Sequence, residues 1–284
     1  MQFKKGDRVL HPKKPDWGIG EVLENTEGQR VKVFFVEAGE KKISLELANL
    51  SKIDKEPHPI LDNLRINMKK HKGLKCLTGE FLKEFPDGFG SKKYHEKERN
   101  YKLEACQLLL DTLSQSDFSA LLDQQNYDEI CKLALKIVNK INLVYPNEKM
   151  SLKDGLKDEP NKKLFGEQLY SLLYGNETIE IRFNGFISCL KEIDAAKWTT
   201  ATYFLFLAFP EKHMFLKPEV TKQATEAFSF ELNYKSEVNW STYQALLKFS
   251  NYLMEELSYL NPKDMIDIQS FIWCAPAIAN GEYK

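Results

Sequence analysis

Four polar residues in the second half of the chain have types and spacings that could do chemistry: His213, Lys217, Asp264 and Asp267. Asp264 and Asp267 are three apart, so on a helix they share a face, where paired carboxylates can hold Mg²⁺ or divide acid and base work. The same spacing also arises when one aspartate favours a helix N-terminus and the next pairs a nearby lysine. Lys217 ends the run His213-Met214-Phe215-Leu216-Lys217 before Pro218. An amine among large apolar residues at a helix entrance has a lowered pKa, as the nucleophiles of base-excision chemistry require. Such a lysine can equally snorkel to the surface or meet a phosphate. The glycine-rich hairpin of a helix-hairpin-helix glycosylase is missing, as are G-x-S-x-G and Cys/His hydrolase signatures. No G-x-x-x-x-G-K-[ST] loop occurs, which excludes a P-loop ATPase. The histidines His11, His58, His71, His95 and His213 show neither H-x-x-x-H nor H-E-x-x-H spacing, so no metal and no cofactor is expected. Trp198, Trp240 and Trp273 read as core or helix-joint residues rather than stacking platforms.

A second kind of chemistry is suggested between Arg65 and Lys102, where basic residues outnumber acidic ones by about two to one. Lys69, Lys70 and Lys72 close an expected helix over Leu61 to His71, where cations suit the dipole. Lys92, Lys93, Tyr94, Arg99 and Lys102 interleave charge with rings, the combination that phosphate contact and base stacking need. Glu96, Glu98 and Glu104 sit among them, and an ordinary solvated helix has the same composition.

The elements that must position these residues divide the chain unequally. Residues 7 to 10 start a strand that Pro12 and Pro15 break. Trp17, Ile19, Val22 and Leu23 mark a second, in which Gly18 and Gly20 suit a bulge or a close backbone approach. Val31, Val33 and Phe35 alternate with Arg30, Lys32 and Phe34 as a third. A hairpin at Glu37 to Glu40, with Gly39 left-handed, leads to Ile43 and Leu45. A helical turn at Leu47 to Asn49 precedes a closing strand to Ile53. Five short strands in so few residues predict a small SH3-like or Tudor-like barrel over residues 1–54. Residues 55–100 read as a stiff linker, with Pro57 and Pro59, and the basic segment, and 85–91 as a loop. Residues 101–276 carry helical periodicity in about eight or nine helices, with Thr199 to Phe209 the buried central one. Helix starts are expected at Ser116, Asp158 or Glu159, Asn176, Pro218, Asn239 or Ser241, and Asn261 to Asp264, with Gly175 as a left-handed stop and a frayed tail after Pro276. The fold class is therefore two-domain: a small all-β barrel followed by a larger all-α domain.

Composition bounds the function loosely. The formal net charge of −1 over 284 residues argues neither for nor against nucleic acid. Five scattered cysteines without a CxxC read as structural thiols of a reducing compartment. The first residues lack an apolar leader, and the most apolar run, Tyr203 to Phe209, falls far short of the ~20 residues of a membrane span. A soluble, cytoplasmic protein with no membrane contact is expected.

The stretch GDRVLHPKKPDWGIGEV followed by VKVFFVEAGEKKISLELANL resembles a small bacterial Tudor-like family. It is similar to the C-terminal domain of UvrD/PcrA-type helicases, and more loosely to the polymerase-binding barrels of CarD-type transcription factors. Gly6-Asp7, His11-Pro12, Trp17-Gly18, Gly20 and Leu45 to Leu50 carry the match, which covers about the first fifty residues. The resemblance implies docking on RNA polymerase or a DNA-repair protein, with Trp17, Phe34, Arg30 and Lys32 as contact residues, and it implies no catalysis. Helicases carry this barrel behind a motor; here it stands first and no motor follows. A methyl-lysine cage of Phe3, Trp17, Phe34 and Phe35 is an alternative use, though core packing explains the same rings. The leading expectation is an adaptor associated with nucleic-acid machinery, with DNA or RNA contact through residues 65–102. The alternatives are a nucleic-acid-processing enzyme, of the DNA-repair or defence kind, with its site in the helices, and a regulatory component with protein partners only. An enzyme should gather the polar candidates in one pocket, whereas an adaptor should scatter them. The oligomeric state is left open.

Overall fold

The computed structural model describes residues 2–283. Its N-terminal part is an antiparallel sheet of β1 (Arg8–Leu10), β2 (Gly20–Val22), β3 (Arg30–Phe35), β4 (Gly39–Ser44) and β5 (Ser51–Ile53), in the order β4-β3-β2-β1-β5. After β1 the chain turns through a 3₁₀ turn, Pro15–Trp17, because neither proline can donate to a ladder. Gly18 follows with φ +72°, and a side chain there would meet Val36 Cγ2 at 2.6 Å. Gly20 pairs with Phe35 across the ladder, where a Cβ would lie 2.8 Å from the Phe35 ring. Both glycines therefore serve the fold. Val31, Val33 and Phe35 face inward and join Phe3, Val9, Val22, Ile43 and Leu50 in one apolar cluster. Phe34, on the opposite face, is also fully buried, with the His71 ring edge-on at 5.0 Å.

That second cover explains why residues 55–73 form no free linker. The compact unit containing the sheet runs from residue 1 to 86 and takes in 220–232 and 272–284, so its limits do not follow the boundaries expected at 54 and 100. Arg8, wholly buried on β1, bonds Glu21 on β2 and Asp62 beyond the sheet. The expected helix Leu61 to His71 shrinks to a 3₁₀ turn, Leu61–Asn63, because the backbone bonds of the following residues go elsewhere. Arg65 N donates to Ser229 O at 2.8 Å, Lys72 N to Ala227 O at 2.8 Å, and Glu231 N to Asn63 O at 2.7 Å. Tertiary pairing thus overrides local propensity. After this segment comes α1 (Leu74–Glu84), a helix absent from the expectations, which buries Leu74, Leu77, Thr78 and Phe81.

The second unit comprises residues 87–219 and 233–271. Its helices are α2 (Lys92–Tyr94), continued by a π-helical turn (His95–Arg99) into α3 (Asn100–Thr112), then α4 (Gln115–Asp123), α5 (Tyr127–Lys140), α6 (Pro146–Gly155), α7 (Glu159–Tyr174), α8 (Ile179–Glu192), α9 (Trp198–Ala208) and α11 (Trp240–Glu256). α10 (Pro218–Ala227) and α12 (Met265–Ala279) are each divided between the two units. Every residue of α9 from Trp198 to Leu207 is buried, as its apolar circumference predicts. Pro218 and Asn239 open helices where expected. The N-caps of α4 and α8 are Ser114 and Thr178 rather than Ser116 and Asn176, each accepting a bond from a backbone N–H three residues on. Gly175 is extended, not left-handed, at φ −64°. Pro146 opens a helix of its own, and α12 continues through Pro276 to Ala279 instead of fraying there. The chain thus joins a small antiparallel β part to a larger helical part. Among the described residues no helix is long and apolar enough to cross a membrane.

Candidate functional site

Asp264 and Asp267 do share a helix face, but that face is occupied. Arg99 reaches across from the π-helical turn and grips Asp264 with both ends of its guanidinium, Nη1 to Oδ1 at 2.8 Å and Nη2 to Oδ2 at 2.7 Å. Its Nη1 also donates to Asp267 Oδ1 at 2.7 Å. Asp267, about 1% exposed, accepts further bonds from the Tyr94 hydroxyl at 2.5 Å and from Lys263 N at 2.7 Å. Burial opposes the charge on Arg99, yet the bonds and charges of the two aspartates outweigh it and raise the guanidinium pKa. Burial and the neighbouring Asp267 together push the Tyr94 phenol well above its ordinary range. Both carboxylates are thereby bonded by one arginine, and Mg²⁺ would have to displace it. A cavity of about 320 Å³ adjoins this network, with Asp87, His95 and Lys263 among its walls beside Arg99 and Asp267.

The same geometry accounts for the basic segment. Tyr94, Glu98, Arg99 and Lys102 are buried, whereas Lys92, Lys93 and Glu96 point outward. The π-helical turn inserts a residue into the helical repeat, so that both Glu98 and Arg99 fall on the inner face. Lys102 Nζ, inside, donates to Ser270 Oγ at 2.8 Å and lies 3.8 Å from Glu98. Tyr94, Arg99 and Lys102 are therefore packing residues and cannot reach a phosphate backbone without unfolding the helix. Of the other cations, Lys70 pairs Glu226 at 2.6 Å and Lys72 donates to Ala279 O at 3.3 Å. Lys69, Lys92 and Lys93 remain exposed, Lys92 with Glu96 at a loose 3.7 Å.

His213 and Lys217 part company although they are four residues apart. Lys217 is half-buried with its Nζ 4.7 Å from the centre of the Tyr145 ring, and burial lowers its pKa against the opposing pull of Glu148. His213 lines a different cavity, of about 360 Å³, with Arg182 and Lys212. Burial, then the charges of Arg182 and Lys212, lower its imidazole pKa to about 4. The cavities holding Asp267 and His213 have no residue in common, and Lys217 lines neither. Arg182, Gln115 and Lys212 escaped the reading of the sequence because no motif links positions so far apart. Among the described residues no group of three or more histidine, cysteine or acidic side chains is placed to hold a metal. Burial raises the thiols of Cys106, Cys131 and Cys189 to about 12, which makes them poor nucleophiles.

On the sheet, the expected contact residues differ in access. Trp17 is half-buried, edge-on to His11 at 5.1 Å and Phe35 at 5.2 Å, with Lys41 Nζ 5.7 Å over its ring. Arg30 is exposed, and Lys32 is held by Glu40 at 3.2 Å and Glu24 at 3.4 Å. Phe34 is buried beneath His71 and is closed to a partner. Phe3 and Phe35 are buried too, so the four rings form no open cage. The ends of the strand order also differ: at β4 the Glu40 N–H is taken by Met68 Sδ at 3.1 Å, whereas among the described residues β5 pairs with β1 alone and keeps Ser51 and Lys52 exposed, Lys52 with Asp7 at 2.8 Å.

A family model described as a protein of unknown function (DUF3553) matches residues 3–53, the stretch that forms the sheet. A search of the curated proteins and one of the solved structures find no match to the chain.

Proposed function

We propose that the chain is an adaptor whose N-terminal sheet, a Tudor-like barrel, docks on RNA polymerase or a DNA-repair protein and brings the helical part to it. One observation carries this reading: the polar residues that could have made an active site are scattered. His213, Lys217 and the aspartate pair lie in three separate surroundings, and the aspartates are already matched by Arg99. The docking edge is β5, which lacks a second strand neighbour and presents exposed Ser51 and Lys52, the arrangement that strand addition by a partner needs. Arg30 on β3, separated from β5 by β2 and β1, supplies a further exposed charge on the sheet. Nucleic-acid contact rests on exposed point charges, Lys69 in the first unit and, separately, Lys92 and Lys93 in the second, suited to phosphates but not to base readout.

The test is affinity capture from nuclease-treated bacterial lysate with the full chain, read by mass spectrometry. The wild type should retain polymerase or a repair enzyme. Arg30→Glu should lose it while melting at the wild-type temperature, and Lys52→Glu should lose it with a slightly lower melting temperature, because it also breaks the 2.8 Å ion pair with Asp7. A wild-type chain that retains neither machine removes the docking role.

A further inference from the structure

The 360 Å³ cavity beside His213 has a chemistry that docking does not use. Arg182, Lys212, His213, Gln115, Tyr174 and Phe209 are among its walls, and no aspartate or glutamate is. Arg182 starts from α8 and lies across the carboxyl end of α7, its Nη1 donating to Leu172 O at 2.8 Å and Leu173 O at 3.4 Å. Gly175 makes that approach possible, since a Cβ there would stand 2.5 Å from Ser171 O and 3.0 Å from Arg182 Cδ. The Arg182 Nε is buried and has no hydrogen-bond partner among the described residues. No carboxylate pairs with this guanidinium among the described residues, and burial lowers its pKa; the Leu172 and Leu173 carbonyls take its Nη1. Lys212 extends into solvent at the rim, loosely 3.9 Å from Glu211. His213 Nδ1 lies 3.4 Å from the Tyr243 hydroxyl, which leaves Nε2 as the ring's remaining polar atom. A guanidinium without a carboxylate partner, its orphaned N–H, a lysine only loosely paired and an aromatic wall thus meet in one place.

We propose that this cavity binds a small phosphorylated molecule, its phosphoryl group between Arg182, Lys212 and His213 and its apolar or ring portion against Phe209. Arginine presents paired N–H groups that match phosphoryl oxygens, and lysine adds a point charge. The volume falls within the range of small-molecule sites, about 300–1,000 Å³, and exceeds what a bare phosphate fills.

The full chain is titrated by calorimetry at low salt with inorganic phosphate, adenosine 5′-monophosphate and adenosine. The monophosphate should bind, more tightly than phosphate, and adenosine should not. Removing Arg182 risks unfolding, because it caps α7, so the decisive variant is Lys212→Glu, whose side chain is mostly exposed. It should weaken the monophosphate by at least about tenfold while the unliganded melting temperature stays unchanged. Silence towards both phosphate and the monophosphate at millimolar concentration overturns the proposal. So does unchanged affinity in Lys212→Glu, or equal binding of adenosine and its monophosphate. None of these readouts depends on a captured partner, so the docking role stands or falls separately.

Discussion

Deleting the Arg99 side chain would strand two carboxylates, one of them almost fully buried. Breaking such a pair from one side costs about 3–5 kcal/mol, because the surviving charge has no water to turn to. Arg99→Ala should therefore lose that much in urea unfolding. Arg99→Lys should recover little of it, since an ammonium cannot bond both ends of Asp264 and also reach Asp267. A loss below about 1 kcal/mol for Arg99→Ala would show that solvent enters the network. His213 gives a second test, through pH. Its native pKa of about 4 lies below the ordinary 6.5, so between those values the unfolded ring binds a proton that the native ring refuses. Its contribution is complete above pH 6.5 and disappears as pH falls towards 4, with a ceiling of about 3 kcal/mol. Unfolding measured at neutral pH and near pH 4.5 should show this loss in the wild type and a smaller one in His213→Gln. His71, also lowered to about 4 by burial and Lys41, remains in both proteins and cancels from the comparison. Equal slopes would mean that His213 is hydrated.

Strands were more legible in the sequence than helices, for a physical reason. A period of two over Val31, Val33 and Phe35, cut by prolines and glycines, leaves little freedom about which residues face inward. Gly20 shows how tight that arrangement is: its backbone is unstrained, so only the 2.8 Å approach to Phe35 and Val33 forbids a side chain. Gly20→Ala should overpack the core by about 1–3 kcal/mol, read as a lower urea midpoint at unchanged slope. A wild-type midpoint would mean that Phe35 moves freely. The α1 stripe Leu74, Leu77, Thr78 and Phe81 was present in the sequence, at spacings of three and four, but lay inside a stretch that its charges made conspicuous for another reason. The expected helix at Leu61 to His71 failed because Leu64 bridges Phe230, a pairing no local pattern reports. Site geometry was less visible still. Arg99 and Asp264 are 165 positions apart, and only the fold could show that the candidate acid/base pair already has its cation.

At the scale of the molecule, the family model spans the sheet, yet the sheet is not closed off as a physical unit. Residues 3–53 carry the family pattern, whereas the compact unit holding them runs to residue 86 and recruits 220–232 and 272–284. A fragment of residues 1–54 would lose Asp62 as a partner for wholly buried Arg8, and His71 as the cover of Phe34. It would also lose the bond from Lys75 N to Glu37, 2.8 Å long. Near fifty residues a lone core is marginal even when complete, because so little surface is buried on folding. The fragment should therefore give a poorly dispersed amide spectrum and no cooperative melt, while the full chain gives both. A well-dispersed spectrum from residues 1–54 would establish the sheet as a self-sufficient module, one that could be moved between proteins intact. Failure of the fragment would carry a consequence for docking: loss of a partner on truncation would then report unfolding. Single exposed substitutions such as Arg30→Glu, which leave Arg8 and Phe34 covered, are the variants able to separate recognition from folding; Lys52→Glu would also break the ion pair of Lys52 with Asp7, 2.8 Å long.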